Sequence, residues 1–310
     1  MSQKKAEIRK SYLLNNYVII TPGRAARPRD VKEESFIEKD PECPFCPENV
    51  DKKNIVDKIK RSGSSEKWQV LSVKNIYPAV TLNNPQAYGT QEVVIDTPDH
   101  TKELGHLKEK EVKQVLEMYA KRTRDLMENS KLHYILCFKN QGAKAGASIT
   151  HPHSQIFATK IIPDDLREEA KLKQEYRIKH GTCPYCDIIK KEMKTKRKIF
   201  EDENIAAFTP YASQYHYEAW IFPKRHVDNI TLLYQKELNS LASALKKIVA
   251  KLQQIEVSFN YFLHQVVSNP DQHLYLKIQP RESVWAGVEL GSGLVINSIP
   301  PEEAAKFYRS

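Results

Sequence analysis

The sequence predicts an α+β protein made of two tandem, related units. Three observations carry this. Short apolar runs of strand length are broken by turn residues, each half holds one long stretch of helical periodicity, and a set of cysteines and histidines occurs twice in the same order. With 310 residues, 40% of them hydrophobic, the chain can bury one large core or two ordinary ones. No window approaches the roughly 20 apolar residues that a membrane span needs. Residues 12–20 are interrupted by Asn15 and Asn16 and followed by Thr21-Pro22-Gly23, which reads as strand and turn rather than a secretion signal. The expected location is therefore cytoplasmic.

The first half opens with a strand over 17–21 that turns into Pro22-Gly23-Arg24-Ala25-Ala26-Arg27-Pro28. Arg24 and Arg27 would present paired guanidinium donors to phosphate or carboxylate, although loose surface arginines would look the same. Cys43-Pro44-Phe45-Cys46 is a knuckle in which two thiolates can grip one metal. Strands are expected over 68–73 and 92–96, with Asn75 beyond the first of them. Thr97-Pro98-Asp99-His100 is expected to open a helix, and Val112, Val115, Leu116 and Tyr119 recur at helical spacing over 108–127. A strand over 134–138, containing Cys137 as packing, and a glycine-bearing loop from Asn140 to Gly146 follow.

From residue 183 the pattern repeats. Cys183-Pro184-Tyr185-Cys186 is a second knuckle, and a Glu stands eight residues before a His in both halves, Glu92 to His100 and Glu218 to His226. A helix over 233–253, a strand over 258–267 and a turn over 268–271 lead to His273-Leu274-Tyr275. Each half thus offers two cysteines, a His after the strand and a His after the helix. The sets are Cys43, Cys46, His100, His151 and Cys183, Cys186, His226, His273. Two thiolates and two imidazoles make a closed tetrahedral set suited to Zn2+, structural because no position is left open. His264 and His216 compete for places in the second set.

Chemistry is placed at residues 146–157, Gly146-Ala147-Ser148-Ile149-Thr150-His151-Pro152-His153-Ser154-Gln155-Ile156-Phe157. On a strand His151, His153 and Gln155 share a face, and Pro152 favours an edge or irregular strand. A half-buried edge strand with hydrogen-bonded histidines would carry the same residues. His153 differs in having no counterpart in the repeat, where Tyr275 stands, so it is left over as a nucleophile held by a rigid scaffold. The first half is then the catalytic one.

The motif Asn140-Gln141-Gly142-Ala143-Lys144-Ala145-Gly146-Ala147-Ser148 running into His151-Pro152-His153-Ser154-Gln155, with Arg24 to Pro28 upstream and Pro98-Asp99-His100 between, resembles the galactose-1-phosphate uridylyltransferase family of the histidine-triad superfamily. Residues 218–226 and 273–297 are most similar to its ADP-glucose phosphorylase branch. The resemblance implies two histidine-triad-like units, each an antiparallel sheet with a packed helix, dividing as 1–163 and 164–310 about a charged helical connector over 164–179. It implies a homodimer, and a double displacement in which His153 attacks the α-phosphorus of a nucleoside diphosphate sugar, releases a sugar 1-phosphate and passes the nucleotide to a second acceptor. The expected activity exchanges UMP between UDP-glucose and galactose 1-phosphate; adenylyl transfer to inorganic phosphate is the alternative. Gln155 and Ser148 would bind the α-phosphate oxygens, Arg24 and Arg27 would neutralise phosphate, Asn75, Asn140 and Gly146 would place the nucleotide, and Glu289 and Asn297 would bind the rest of the substrate.

Two features depart from many uridylyltransferases. Ser283 and Val288 stand where a Lys and a Tyr flank the Gly and Glu, and Lys277 and Gln279 stand where bacterial members carry paired histidines. The net charge of +9, from 48 Lys and Arg against 39 Asp and Glu, attracts phosphate without choosing between nucleotide and nucleic acid. A zinc-knuckle nucleic-acid binder is opposed by the wide separation of residues 43 and 183, and a dinucleotide hydrolase by Gln155, where hydrolases of the superfamily carry a third His. No nucleic-acid or membrane partner is expected.

Overall fold

The computed structural model describes residues 5–26, 41–61, 63, 67–267 and 272–310. Arg27 and the turn expected over 268–271 lie outside them. Strands β1 (Glu7–Lys10) and β2 (Tyr17–Ile20) pair, and a short 3-10 turn, Pro22–Ala26, carries Arg24. The first half continues with β3 (Ile55–Lys60), β4 (Trp68–Lys74), β5 (Gly89–Ile95), helix α1 (Glu109–Met127), β6 (Tyr134–Gln141) and β7 (His153–Thr159). Helices α2 (Asp164–His180) and α3 (Pro184–Glu192) lead into β8 (Lys198–Glu201), β9 (Ile205–Phe208), β10 (Ala219–Pro223), α4 (Gln235–Gln254), β11 (Phe259–His264) and β12 (Tyr275–Pro280). The chain closes with α5 (Gly287–Ser292), β13 (Val295–Asn297) and α6 (Pro301–Arg309).

Ten strands form one antiparallel sheet in the order β3-β4-β5-β7-β6-β11-β12-β10-β9-β8. Read outward from the β6–β11 seam, the two halves run β6, β7, β5, β4, β3 and β11, β12, β10, β9, β8, the same order twice. The α+β class and the repeat are thus as expected, but the two sheets are fused. Pairing of Phe262 with Phe138 through to Phe259 with Gln141 gives each unit's open edge a partner, which removes two exposed strand edges at once.

Helices α1 and α4 lie side by side on one face of this sheet. Val112, Val115, Leu116 and Tyr119 of α1 and Leu238, Leu241, Leu245 and Ile248 of α4 bury against Val94, Ile135, Cys137, Ile156, Tyr261 and Leu276 in a common core. Both helices start in the same way. The Glu111 carboxylate accepts the backbone N–H of Lys108 at 2.8 Å, and Glu237 accepts that of Tyr234 at 2.7 Å. The helix expected to open at Thr97 begins at Glu109 instead, because Thr97 Oγ1 and Asp99 Oδ1 capture the N–H groups of Asp99 and Thr101 and hold a turn there.

The Arg122 guanidinium on α1 grips Glu92 with two hydrogen bonds of 2.8 Å, and Ser72 donates to the same carboxylate at 2.9 Å. Glu92 is 4% exposed. Arg122→Leu is expected to cost about 3–5 kcal/mol by stranding that carboxylate, read as a lower urea midpoint at unchanged slope; a loss below about 1 kcal/mol would refute it.

On the opposite face, the two ends of the sheet are covered differently. Phe45, Val50 and Trp68 pack on Leu71, Val93 and Ile95 at one end, and Tyr185 and Ile189 of α3 pack on Phe208, Trp220 and Phe222 at the other. Between them Phe138, Asn140, Gln155, Phe157, Asn260 and Phe262 remain half-buried and form the floor of a groove that spans both halves. A small sheet, β1-β2-β13, stands apart from the large one. Among the described residues no helix is long and apolar enough to cross a membrane.

Candidate active site

The turn over 41–50 brings Cys43 and Cys46 together, with the Cys46 N–H donating to the Cys43 carbonyl at 3.2 Å. Cys46 Sγ lies 3.4 Å from His100 Nδ1 and 3.6 Å from His151 Nδ1, and Cys43 Sγ lies 3.7 Å from His151 Nδ1. Metal bonds of 2.0–2.3 Å at tetrahedral angles set ligand atoms about 3.5 Å apart, so the four donors fit one such ion. The outer ring nitrogens are also engaged: His151 Nε2 meets the Thr97 carbonyl at 2.8 Å and His100 Nε2 the Thr150 hydroxyl at 3.1 Å. Such partners fix the tautomer that leaves Nδ1 for a metal.

The second set repeats this arrangement. Cys183 caps α3, Cys186 lies on it, and Cys186 Sγ is 3.5 Å from His226 Nδ1 and 3.6 Å from His273 Nδ1. His273 Nε2 meets the Pro223 carbonyl at 2.8 Å, just as His151 meets Thr97. All four ligand atoms of each set lie within 4.8 Å of one another. The rival histidines are elsewhere: His264 stacks on Tyr275 at 4.3 Å, and His216 is held between Glu282 and Ser298. Burial, helped by the charges of Lys277 and Lys173 and opposed by Glu169, pushes the His264 imidazole down to about 3, so it stays neutral.

His153 begins β7, opposite Ile95 of β5, and is 7% exposed. Its Nδ1 lies 2.9 Å from the His151 carbonyl and its ring packs on Phe45 at 5.1 Å. Nδ1–H therefore donates and Nε2 keeps its lone pair. Burial, reinforced by the nearby Lys139 ammonium, holds the His153 pKa below the usual histidine value, which favours the neutral, nucleophilic form. Gln155 follows on the same face, and its Oε1 accepts from Gln91 Nε2 at 2.8 Å. That bond turns the amide NH2 of Gln155 away from Gln91.

Asn140 accepts from Asn260 Nδ2 at 2.8 Å, and Asn260 also donates to the Ala145 carbonyl at 2.8 Å. Gly142 and Gly146 hold φ of +83° and +84°, and a Cβ on Gly142 would stand 2.3 Å from Ser258 Oγ, so this loop needs glycine there. Ser148 is exposed on the loop entering β7. Asn75 follows β4, with its Oδ1 accepting from the Tyr77 N–H at 2.8 Å.

Arg24 and Glu289 belong to a second place, beside the three-stranded sheet. Burial raises the Glu289 pKa, but the N–H groups of Ala286 and Ile296 and the charge of Arg24 hold it below the ordinary value. Asn297 ends β13. It is fully buried, donates to the Ser213 and Tyr215 carbonyls at 2.8 and 3.2 Å, and accepts the Ile299 N–H at 2.8 Å. These bonds tie β13 to the 213–215 loop.

Sequence reasoning missed Gln91, Asn260 and Arg281. Arg281 lies over the Tyr215 ring at 4.7 Å and donates to Asn260, while Trp285 stacks on Tyr215 at 5.1 Å. Period two along β5 and β11 places Gln91 and Asn260 on the floor side. Nothing in the spacing announces Arg281.

Known proteins share this architecture. The model of the galactose-1-phosphate uridyl transferase N-terminal domain matches residues 1–163, and that of the C-terminal domain matches residues 169–278. The chain belongs to the galactose-1-phosphate uridylyltransferase family. It is 30% identical over 335 residues to the ADP-glucose phosphorylase of Arabidopsis thaliana, covering 100% of this chain and 94% of that protein. It is 27% identical over 330 residues to the galactose-1-phosphate uridylyltransferase of Thermotoga maritima, covering 98% of each. The crystal structure of an Arabidopsis thaliana ADP-glucose phosphorylase with bound ADP-glucose superimposes with a TM-score of 0.85 at 29% identity, covering 99% of both chains.

Proposed function

We propose that this member of the uridylyltransferase family transfers a nucleotidyl group by double displacement through His153, exchanging UMP between UDP-glucose and galactose 1-phosphate. The observation that carries the reading is the buried His153 ring on the same face as Gln155, whose Nδ1–H is tied to the His151 carbonyl so that Nε2 keeps the free lone pair. In the first half-reaction Nε2 forms a bond to the α-phosphorus and the bond to the sugar-phosphate oxygen breaks, releasing a sugar 1-phosphate. The Nδ1–H bond to His151 stabilises the imidazolium that results. In the second, a phosphate oxygen of the acceptor attacks the same phosphorus and returns the electron pair to Nε2.

Gln155, set by Gln91, and Ser148 would donate to the α-phosphate oxygens as charge builds. Asn75, Asn140 and the Gly146 loop would seat the nucleotide. Both Cys2His2 sets would hold Zn2+, and the first would anchor residues 43–46, 100 and 151 around the nucleophile. Residues 1–163 act as the catalytic half and 164–310 complete the groove. Arg24, Arg27 and Glu289 are read as contacts for the phosphate and sugar of a substrate bound to a second copy in a homodimer. The exposed Val284, Val288 and Leu290 around Glu289 support that pairing. Five free cysteines suit a reducing, cytoplasmic setting.

A second reading, adenylyl transfer from ADP-glucose to inorganic phosphate, is favoured by the full-length likeness to the Arabidopsis phosphorylase. Intact-protein mass spectrometry after brief exposure to UDP-glucose, UDP-galactose or ADP-glucose decides between them. A uridylyl adduct discharged by galactose 1-phosphate supports the first reading, and an adenylyl adduct discharged by phosphate replaces it with the second. Absence of any adduct on folded, metal-loaded protein would overturn the covalent mechanism.

A further inference from the structure

Under the groove floor, on the helix side of the sheet, lies an ion pair that the metal sets and the nucleophile do not explain. Lys139 Nζ is 2.9 Å from Asp96 Oδ2, and the two side chains are 1% and 0% exposed. Alternation along β6 puts Lys139 in the row of Ile135 and Cys137, a core row in which an ammonium is out of place. A buried pair of this kind contributes little net stability, because the desolvation of two charges offsets their attraction and apolar substitutes of similar volume often serve as well. Stability alone therefore gives no reason for a charge here.

The remaining bonds of the pair give one. Lys139 Nζ also donates to the His153 carbonyl at 2.9 Å, and the Ser154 hydroxyl donates to Asp96 Oδ1 at 2.7 Å. The Asp96 N–H donates to the Pro152 carbonyl at 3.0 Å, and the next carbonyl, Thr97, meets His151 Nε2 at 2.8 Å. Residues 151–154 are thus held at four successive points from Asp96, Thr97 and Lys139. Among the described residues, only Lys139 reaches the backbone of His153 itself from the far side of the sheet.

We propose that Lys139, with Asp96 as its counter-charge, is a positioning residue for the nucleophile. It fixes the peptide plane after His153, and with it the line along which Nε2 meets phosphorus. This rests on the reading of His153 given above. An apolar side chain could fill the space but could not hold a carbonyl, and an error of about 1 Å in attack geometry costs on the order of a hundredfold in rate.

The test uses the full, metal-loaded chain as Lys139→Met and as the double variant Asp96→Asn with Lys139→Met, which removes both charges and leaves neither unpaired. Single-turnover adduct formation is expected to slow by about a hundredfold in both variants, with the donor KM within about threefold of wild type. The double variant is expected to melt close to the wild-type temperature. Nitrogen-15 spectra of labelled histidine should show one Nδ1–H tautomer for His153 in the wild type and an averaged ring in both variants. A double variant that is folded, metal-loaded and as fast as wild type reduces Lys139 to packing. Should the wild type itself form no adduct, the His153 reading fails, and the spectra alone still decide the positioning role: an unchanged Nδ1–H signal in both variants overturns it.

Discussion

His153→Ala is expected to abolish the nucleotidyl adduct and to lower turnover by at least about a thousandfold, on the order of 4 kcal/mol of lost transition-state stabilisation. The size of the effect follows from the loss of the bond-forming atom itself, which neither His151 nor His264 is placed to replace. His151 faces the metal set through Nδ1 and the Thr97 carbonyl through Nε2, so it has no lone pair to offer. His264 lies against Tyr275, whose other ring neighbours include Phe222 and Tyr185 at the covered end of the sheet. The variant should fold normally and carry two metal ions per chain, because His153 belongs to neither ligand set. Steady-state rates and metal content measured on one preparation separate the two effects. More than about a tenth of wild-type activity in a fully metal-loaded His153→Ala protein would show that another group attacks phosphorus.

The repeat was legible because it is written in residues that chemistry restricts. Two Cys-x-x-Cys pairs and two Glu-to-His intervals of equal length gave both ligand sets, and the two long amphipathic stretches gave α1 and α4 to within two residues. Fusion of the sheets was not legible. The β6–β11 seam joins residues more than a hundred positions apart, and its side chains, Phe138, Asn140, Asn260 and Phe262, alternate as any half-buried strand would. The surroundings of Asn297 were not legible for a related reason: an Asn buried among backbone groups and an Asn at the surface have the same sequence. Lys139 could have been found, since it interrupts the apolar row of Ile135 and Cys137. A single lysine near a strand end reads by default as the point where the chain surfaces, and its partner Asp96 lies on a different strand edge.

The two metal sets should also differ in how firmly they hold their ions, although their ligands are the same. Cys43, Cys46, His100 and His151 are all 5% exposed or less. In the second set only His273 is fully buried, Cys183 and Cys186 are half-buried and His226 is exposed, and a cleft of about 280 Å³ lined by Arg177, Thr182 and Lys190 opens onto the two cysteines and His226. A chelator can approach a metal there, whereas at the first set it must wait for the turn over 41–50 to open. A zinc-binding dye in excess is expected to draw one equivalent per chain quickly and the second at least about tenfold more slowly. Cys186→Ser should remove the fast equivalent and leave adduct formation on His153 within a few-fold of wild type. Cys43→Ser should remove the slow one, cost about 4 kcal/mol or roughly 10 °C in melting temperature, and slow adduct formation by about a hundredfold, because His151 is then released two residues from the nucleophile. Equal release rates from the two sets, or an unimpaired Cys43→Ser, would break the link between the first centre and the geometry of His153.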